Sequence, residues 1–103
     1  PGVVGRLALV TDGVHRELPQ TRIIYISIKP SPLRAALLPQ IREANALISD
    51  YADREGKVDF IDVYTPMLDA SGMPRRELFR DDQLHLNANG YALWKRVIAP
   101  ELH

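Results

Sequence analysis

The sequence reads RIIYISI over residues 22–28 and VDFIDV over residues 58–63, and these two runs decide the fold. The first is short, β-branched and nearly continuous in apolar character, and both runs are typical of strands buried on both faces of a parallel sheet. Between them, apolar residues recur at helical spacing from about Leu33 to Glu55, with Gly56 as a C-cap candidate. Strand, helix and strand predict a βαβ unit, whose crossover is expected to be right-handed.

The flanking segments extend the same alternation of elements. Residues 3–18 carry Val4, Leu7, Val14 and Leu18 at helical spacing, and Pro19 ends that predicted helix. A loop is predicted over residues 65–82, and its apolar side chains are expected to pack onto the domain. A last helix is predicted from Asn87, the N-cap candidate, to about Pro100, with Tyr91, Trp94, Val97 and Ile98 on its inner side. The result is a three-layer α/β architecture.

Two strands are too few for a complete sheet of this kind, because both edges would stay open for pairing. Either a third strand escapes the pattern, or further polypeptide completes the sheet. Pro39 lies inside the long central helix, where it is expected either to kink the helix or to mark its true first turn.

Composition excludes several classes of function. The 103 residues fit one domain, and 13 Lys+Arg balance 13 Asp+Glu, which argues against nucleic acid as a partner. No apolar run approaches the roughly 20 residues of a membrane span, and no Cys is present to form a disulfide or a thiolate site. The sequence starts without Met and without a signal pattern, so the chain is expected to begin partway through a longer one. The terminal His103 is expected to be disordered.

The spacing Asp-x-x-His occurs twice, and its surroundings separate the two cases. Asp12 and His15 lie within the first predicted helix, off its apolar stripe, which indicates a solvated surface pair. Asp82 and His85 instead close the long loop, directly before the last helix, where a rigid scaffold would position them. A carboxylate beside an imidazole can fix the tautomer of the ring and support the imidazolium formed in base catalysis.

The surrounding stretch, FRDDQLHLNANGYALW over residues 79–94, resembles the last block of the SGNH (GDSL-type) hydrolases. The resemblance extends more weakly from the first helix to Pro100 and includes the segment 23–34, Asn45 and the segment 60–63. It implies a flavodoxin-like α/β/α fold and hydrolysis of a small carboxylic ester by a Ser-His-Asp mechanism. By the same resemblance Asp82 is the triad acid and His85 the triad base, and no metal or organic cofactor is needed.

The departures from that family concern the other half of the mechanism. The Gly-Asp-Ser-like block with the nucleophile is missing, as are the Gly and Asn that help to bind the oxyanion. The sequence contains four serines, and the predicted location of each makes it a poor candidate for the nucleophile. Ser27 lies in a strand, Ser31 at the start of a helix, Ser49 in a helix and Ser71 in a turn. Residues 1–103 are therefore predicted to be one domain, the C-terminal portion of such a hydrolase, inactive alone.

Two other interpretations stay open. The chain could be a non-catalytic fragment or interaction module, completed by sheet-edge pairing with a second copy or with a missing N-terminal half. Alternatively Asp81, Asp82 and His85 could form a metal site, although no further His or Cys is spaced to complete it. Nucleotide binding has no support, because no Gly-rich loop follows a strand.

Overall fold

The computed structural model describes residues 2–102, except for the side chain of residue 3; His103 lies outside the described residues. The helices and strands, in chain order, are α1 (Gly2–Glu17), β1 (Ile23–Ile26), α2 (Leu38–Arg54), β2 (Val58–Ile61) and α3 (Ala88–Ile98). Short 3₁₀ turns lie at Pro32–Leu37, Thr65–Met67, Arg76–Leu78 and Ala99–Glu101. Within this part of the chain, no helix has both the length and the apolar character to cross a membrane.

The two strands pair in parallel, which confirms the α/β class with a partial parallel sheet. Ile23 lies opposite Val58 and Ile26 opposite Ile61. At the end of β1, the N–H of Ser27 donates to the carbonyl of Ile61 at 3.0 Å. Helix α2 connects the strands and packs against β2, so the βαβ unit predicted from the two apolar runs is present.

Strand β1 is less buried than its apolar run predicts. Ile23, Ile24 and Tyr25 are half-buried, and Ile26 is 41% exposed. Along a β-strand, the backbone N–H and C=O groups of successive residues point to opposite edges of the strand. Ile23 and Ser27 bond towards β2, so the N–H and C=O groups of Ile24 and Ile26 point away from it. No strand among residues 2–102 pairs with that outer edge. The prediction of a strand was correct. The prediction of burial on both faces was wrong for β1, because no strand within residues 2–102 lies on its outer side to help cover its side chains.

Helix α2 starts later than its apolar pattern predicts. Residues 32–37 form a 3₁₀ turn, within which Arg34 has φ −109° and ψ 30°, and the α-helix begins at Leu38 with Pro39 in its first turn. A proline in the first turn of a helix lacks only an N–H that would be unpaired there anyway, so Pro39 is compatible with this start of the helix. Pro39 therefore marks the true first turn, and the C-cap is Glu55 rather than Gly56.

A hydrophobic cluster joins the 65–82 loop to α3. Its buried members are Met67, Leu78, Phe79, Leu86 and Leu93, with Trp94 and Val97 packed against them. The predicted packing of the loop onto the domain is confirmed. On α3, however, Tyr91 is 58% exposed and Leu93 takes the inward position, so the assignment of Tyr91 to the inner side was wrong.

Helix α1 contacts α2 and β1 through a mixed polar and apolar face. Thr11 is fully buried, with its hydroxyl 2.7 Å from that of Tyr25, and the Tyr25 hydroxyl donates to the carbonyl of Leu7 at 3.1 Å. The predicted stripe holds for Val4, Leu7 and Val14, which are half-buried. It fails for Leu18, which lies beyond the helix and is 59% exposed.

Candidate active site

Asp82 and His85 lie in a tight turn that projects from the 65–82 loop just before α3. The turn is closed by an isolated antiparallel bridge between Phe79 and Leu86, and the N–H of Arg80 donates to the carbonyl of His85 at 2.8 Å. Gln83 has a φ of 59°, in the left-handed region that non-glycine residues rarely adopt. This conformation reverses the chain, so that the residues before and after Gln83 face each other.

The turn brings the Asp82 carboxylate onto the His85 ring. Oδ2 of Asp82 is 2.6 Å from Nδ1 of His85, and Oδ1 accepts the N–H groups of Leu84 at 2.9 Å and His85 at 3.0 Å. The imidazole hydrogen bond lowers the pKa of Asp82 well below its ordinary value, and the two N–H groups lower it further. Because an ionised carboxylate only accepts hydrogen bonds, Nδ1 carries the proton and Nε2 of the neutral ring keeps its lone pair.

The free side of the ring is accessible. The His85 side chain is 69% exposed, and none of the described residues forms a hydrogen bond with its Nε2. A ring that is oriented at Nδ1 and open at Nε2 can take a proton from a group presented to it and later return the proton. The geometry therefore brings together the two residues that the sequence paired and leaves Nε2 of His85 accessible.

The start of α3 fixes the turn from its C-terminal side. Asn87 caps the helix through Oδ1, which accepts the N–H of Gly90 at 3.0 Å, as the sequence predicted. Its Nδ2 also donates to the carbonyls of Glu77 and Phe79, at 2.9 and 3.0 Å. A Cβ at Gly90 would strike the Leu78 carbonyl and would lie 2.8 Å from a methyl group of Leu86, so only glycine allows this approach.

The segment after β1 fixes the turn from the opposite side. Lys29 Nζ donates to the carbonyl of Leu84 at 2.7 Å, and the N–H of Leu33 donates to the carbonyl of Gln83 at 3.0 Å. Asn45 of α2 in turn holds Ile28, accepting its N–H at 2.8 Å and donating to its carbonyl at 3.0 Å. Sequence reasoning missed these contacts. The one available signal was Asn45, a polar residue on the buried face of α2.

The second Asp-x-x-His occurrence is built differently. His15 is half-buried, and its Nε2–H donates to the carbonyl of Thr21 at 2.8 Å. Asp12 is exposed, and no hydrogen bond or ion pair joins it to His15 in residues 2–102. The expected solvated pair is therefore wrong: His15 ties the end of α1 to the segment before β1.

None of the four serines forms a hydrogen bond with His85 within the described chain. The Oγ of the buried Ser27 accepts the N–H groups of Val63 at 2.8 Å and Tyr64 at 3.2 Å. Ser31 is buried at the N-cap of the 3₁₀ turn without capping it through its side chain. Ser71 donates to Asp69 at 2.7 Å, and Ser49 lies on α2.

Residues 2–102 contain no group of three His, Cys, Asp or Glu side chains placed to hold a metal ion, so Asp81, Asp82 and His85 do not form the alternative metal site. A cavity of about 750 Å³ lies between the 3₁₀ turn at Pro32 and the loop from Leu68 to Glu77. Its walls include Arg75 and Arg76 but neither Asp82 nor His85, so the cavity does not contain the Asp82–His85 pair.

The sequence is similar to a known protein family over most of its length. Residues 2–93 match the model of the GDSL-like lipase/acylhydrolase family. Among curated proteins, no sequence matches significantly.

Solved structures show the same fold. A Streptococcus pneumonia protein provisionally described as a platelet activating factor superposes with a TM-score of 0.86 at 24% identity, over 97% of this chain and 50% of its own. A protein from Bacteroides fragilis, provisionally described as an acylhydrolase, has a TM-score of 0.77 at 19% identity, over 95% and 49% of the two chains. A GDSL-like lipase from Bacteroides thetaiotaomicron gives 0.75 at 22% identity, also over 95% and 49%. This chain thus spans about half the length of the structures it matches.

Proposed function

This chain belongs to the GDSL-like lipase/acylhydrolase family, and from that premise we propose that it is the Asp- and His-bearing portion of a hydrolase of small carboxylic esters. The observation that carries the proposal is the 2.6 Å contact between Asp82 Oδ2 and His85 Nδ1, combined with the accessible Nε2. Asp82 orients the ring and stabilises its protonated form, and His85 is the general base.

In the proposed reaction a serine supplied by polypeptide outside these 103 residues attacks the ester carbonyl. His85 Nε2 takes the serine proton as the new C–O bond forms, and the same proton goes to the alcohol as it leaves. Water then repeats the two proton transfers on the acyl-enzyme, which releases the acid. N–H donors from the same outside polypeptide stabilise the oxyanion. We propose accordingly that residues 1–103 are the C-terminal portion of the hydrolase domain and have no esterase turnover alone.

The experiment compares the chain alone with a completed domain. The purified chain is assayed with a short-chain activated ester, and we expect no turnover beyond that of its His85→Ala variant. The completed domain is a fusion to the half of the Streptococcus relative that this chain does not match, and in it we expect turnover that His85→Ala lowers at least a hundredfold. His15→Ala is the matched control, because within residues 2–102 the side-chain hydrogen bond of His15 goes to a backbone carbonyl, that of Thr21. Turnover of the completed domain that survives His85→Ala would contradict the proposal.

A second candidate, a non-catalytic module completed by a second copy of the chain, rests on the open edge of β1. Ile26 and Ile28 are each 41% exposed there, and Leu9 and Val10 of α1 are 76% and 56% exposed. Strand edges and apolar surfaces of this kind are typical pairing sites. Analytical ultracentrifugation separates the two candidates: a concentration-independent monomer of 11.6 kDa excludes self-pairing.

A further inference from the structure

The peptide bond between Leu84 and His85 is held at both ends by charged side chains. Its carbonyl oxygen accepts a hydrogen bond from Lys29 Nζ at 2.7 Å, and its N–H donates to Asp82 Oδ1 at 3.0 Å. A peptide group is planar, so two fixed ends fix the orientation of the whole plane and of the His85 Cα that follows. The backbone that carries the imidazole is therefore set by two residues, one of which lies far away in the sequence.

Lys29 is itself well anchored. It is half-buried, its Nζ lies 5.6 Å from the centroid of the Phe79 ring, and Phe79 belongs to the buried cluster under α3. The preceding residue, Ile28, is held on both its N–H and its carbonyl by Asn45. A line of contacts thus leads from α2 through the end of β1 to the turn.

The ammonium group of Lys29 lies near charges of both signs. Partial burial lowers the pKa of Lys29 most, the Arg34 charge lowers it further, and the Asp82 charge acts in the opposite direction. A hydrogen bond to a peptide carbonyl polarises the group and strengthens the N–H as a donor at the other end. Lys29 and Asp82 therefore reinforce each other across one peptide bond.

We propose that Lys29 is a positioning residue for the candidate base: by holding the Leu84 carbonyl, it fixes the turn in which Asp82 meets His85. An effect of Lys29 on ester hydrolysis rests on the proposed function. The effect of Lys29 on the orientation of the His85 ring does not, because it involves residues of this chain alone. Lys29 acts through the backbone of the turn and touches neither the ring nor the reacting atoms.

The experiment measures the tautomer of His85 in the full chain. At a pH where the ring is neutral, the contact with Asp82 holds the proton on Nδ1, and ¹⁵N chemical shifts of the imidazole report the ratio of the two tautomers. In Lys29→Met we expect the ratio of Nδ1–H to Nε2–H to fall on the order of tenfold. Lys29→Arg, which keeps a cationic donor, restores most of the ratio.

Lys57→Met is the matched control. Lys57 Nζ also donates to a backbone carbonyl, that of Pro19 at 2.6 Å, and to Gln20 Oε1 at 2.9 Å. Lys57→Met removes the same type of lysine-to-carbonyl hydrogen bond at a site away from the turn, so we expect it to leave the ratio of the His85 tautomers unchanged. A tautomer ratio in Lys29→Met within twofold of the unsubstituted chain would overturn the proposal, as would an equal change in Lys57→Met. If Lys29→Met does not fold, the same criteria apply to Lys29→Leu, which likewise has no hydrogen-bond donor.

The same variants in the completed domain separate this inference from the proposed function. We expect Lys29→Met to lower kcat about tenfold with little change in KM, because in this proposal Lys29 acts on the orientation of the base and makes no contact with the substrate. If the tautomer shifts but no variant of the completed domain turns over ester, the proposed function fails and the positioning role stands. If turnover depends on His85 but neither the tautomer nor kcat responds to Lys29, the positioning role alone is wrong.

Discussion

The two Asp-x-x-His segments have the same spacing and different structures, and the difference lies in the backbone. Residues 12–15 lie in helix α1, where His15 turns to the carbonyl of Thr21. Residues 82–85 lie in a turn with a left-handed residue, where the carboxylate closes onto the ring at 2.6 Å. Spacing alone therefore does not bring the carboxylate to the imidazole; the conformation of the two intervening residues decides whether the side chains meet.

In both segments, one residue between the Asp and the His has a backbone conformation that its residue type disfavours. The helix contains Gly13, which weakens a helix, and the turn contains Gln83 at a φ of 59°, where glycine would be favoured. In the turn the unfavourable conformation is held by contacts from outside, including the N–H of Leu33 and the ammonium group of Lys29. Strain of this kind, kept by surrounding structure, is common at functional sites.

The strongest test of the comparison replaces each aspartate by asparagine. In the completed domain we expect Asp82→Asn to lower kcat by about 10³–10⁴, because an amide can donate to Nδ1 and so favours the wrong tautomer of His85. We expect Asp12→Asn to change kcat by less than about twofold, since nothing joins Asp12 to His15 within residues 2–102. Steady-state ester hydrolysis measures both. Equal effects at the two positions would show that spacing, rather than backbone conformation, defines the pair.

A second test follows the charge of Asp82. The His85 hydrogen bond is the largest cause of its lowered pKa, so His85→Ala is expected to raise that pKa toward the ordinary value of about 3.9. Since the folded pKa lies below the unfolded one, Asp82 stabilises the fold above about pH 4 and loses this contribution as the pH falls through the folded value. Carboxyl ¹³C titration by NMR measures the change.

Asp69 is the control for that titration. The Ser71 hydroxyl lowers its pKa most, with the N–H of Met73 next, and neither depends on His85. An Asp82 pKa that stays low in His85→Ala would mean that the N–H groups of Leu84 and His85 suffice, and that the ring contact contributes little.

Much of this fold could be predicted from sequence because it depends on local periodicity. Each of these features follows from the residue pattern of its own element: the two strands, the helix between them and the N-cap at Asn87. The later start of α2 followed from Pro39, whose two alternatives the pattern alone could not separate. The exposure of β1 could not be predicted, because burial of a strand depends on neighbours that its own residues do not specify.

The candidate site could be predicted only in part. Asp82 and His85 could be identified because they are close in sequence and lie within residues 79–94, the stretch that resembles the last block of the SGNH hydrolases. Lys29 is 55 positions from Leu84, and Asn45 reaches Ile28 across 17, so no periodic pattern marks either contact. Residues that hold the 82–85 turn from distant elements are found only once the tertiary structure brings them together.

A third test changes the left-handed residue of the turn. We expect Gln83→Val to lower the free energy of unfolding by about 1–2 kcal/mol, because a β-branched residue tolerates a positive φ poorly. Gln83→Gly is expected to raise it by up to about 1 kcal/mol, although it loses the 3.2 Å contact from Gln83 Nε2 to the Arg80 carbonyl. Urea unfolding measures both. If the valine variant is as stable as the glycine variant, the left-handed turn is not the conformation in solution.

The smallest effect is expected at the matching position in the helix. Gly13→Ala should raise the free energy of unfolding by up to about 1 kcal/mol, because an interior alanine favours a helix and a Cβ there meets no atom within 4 Å. The same substitution at Gly90 should have the opposite sign, since its Cβ would strike the Leu78 carbonyl and lie 2.8 Å from a methyl group of Leu86. A stabilising Gly13→Ala with an unchanged His15 contact would show that the first segment needs no special backbone. A destabilising one would mean that α1 is not continuous through Asp12 and Gly13, and the helix–turn contrast between the two segments would then fail.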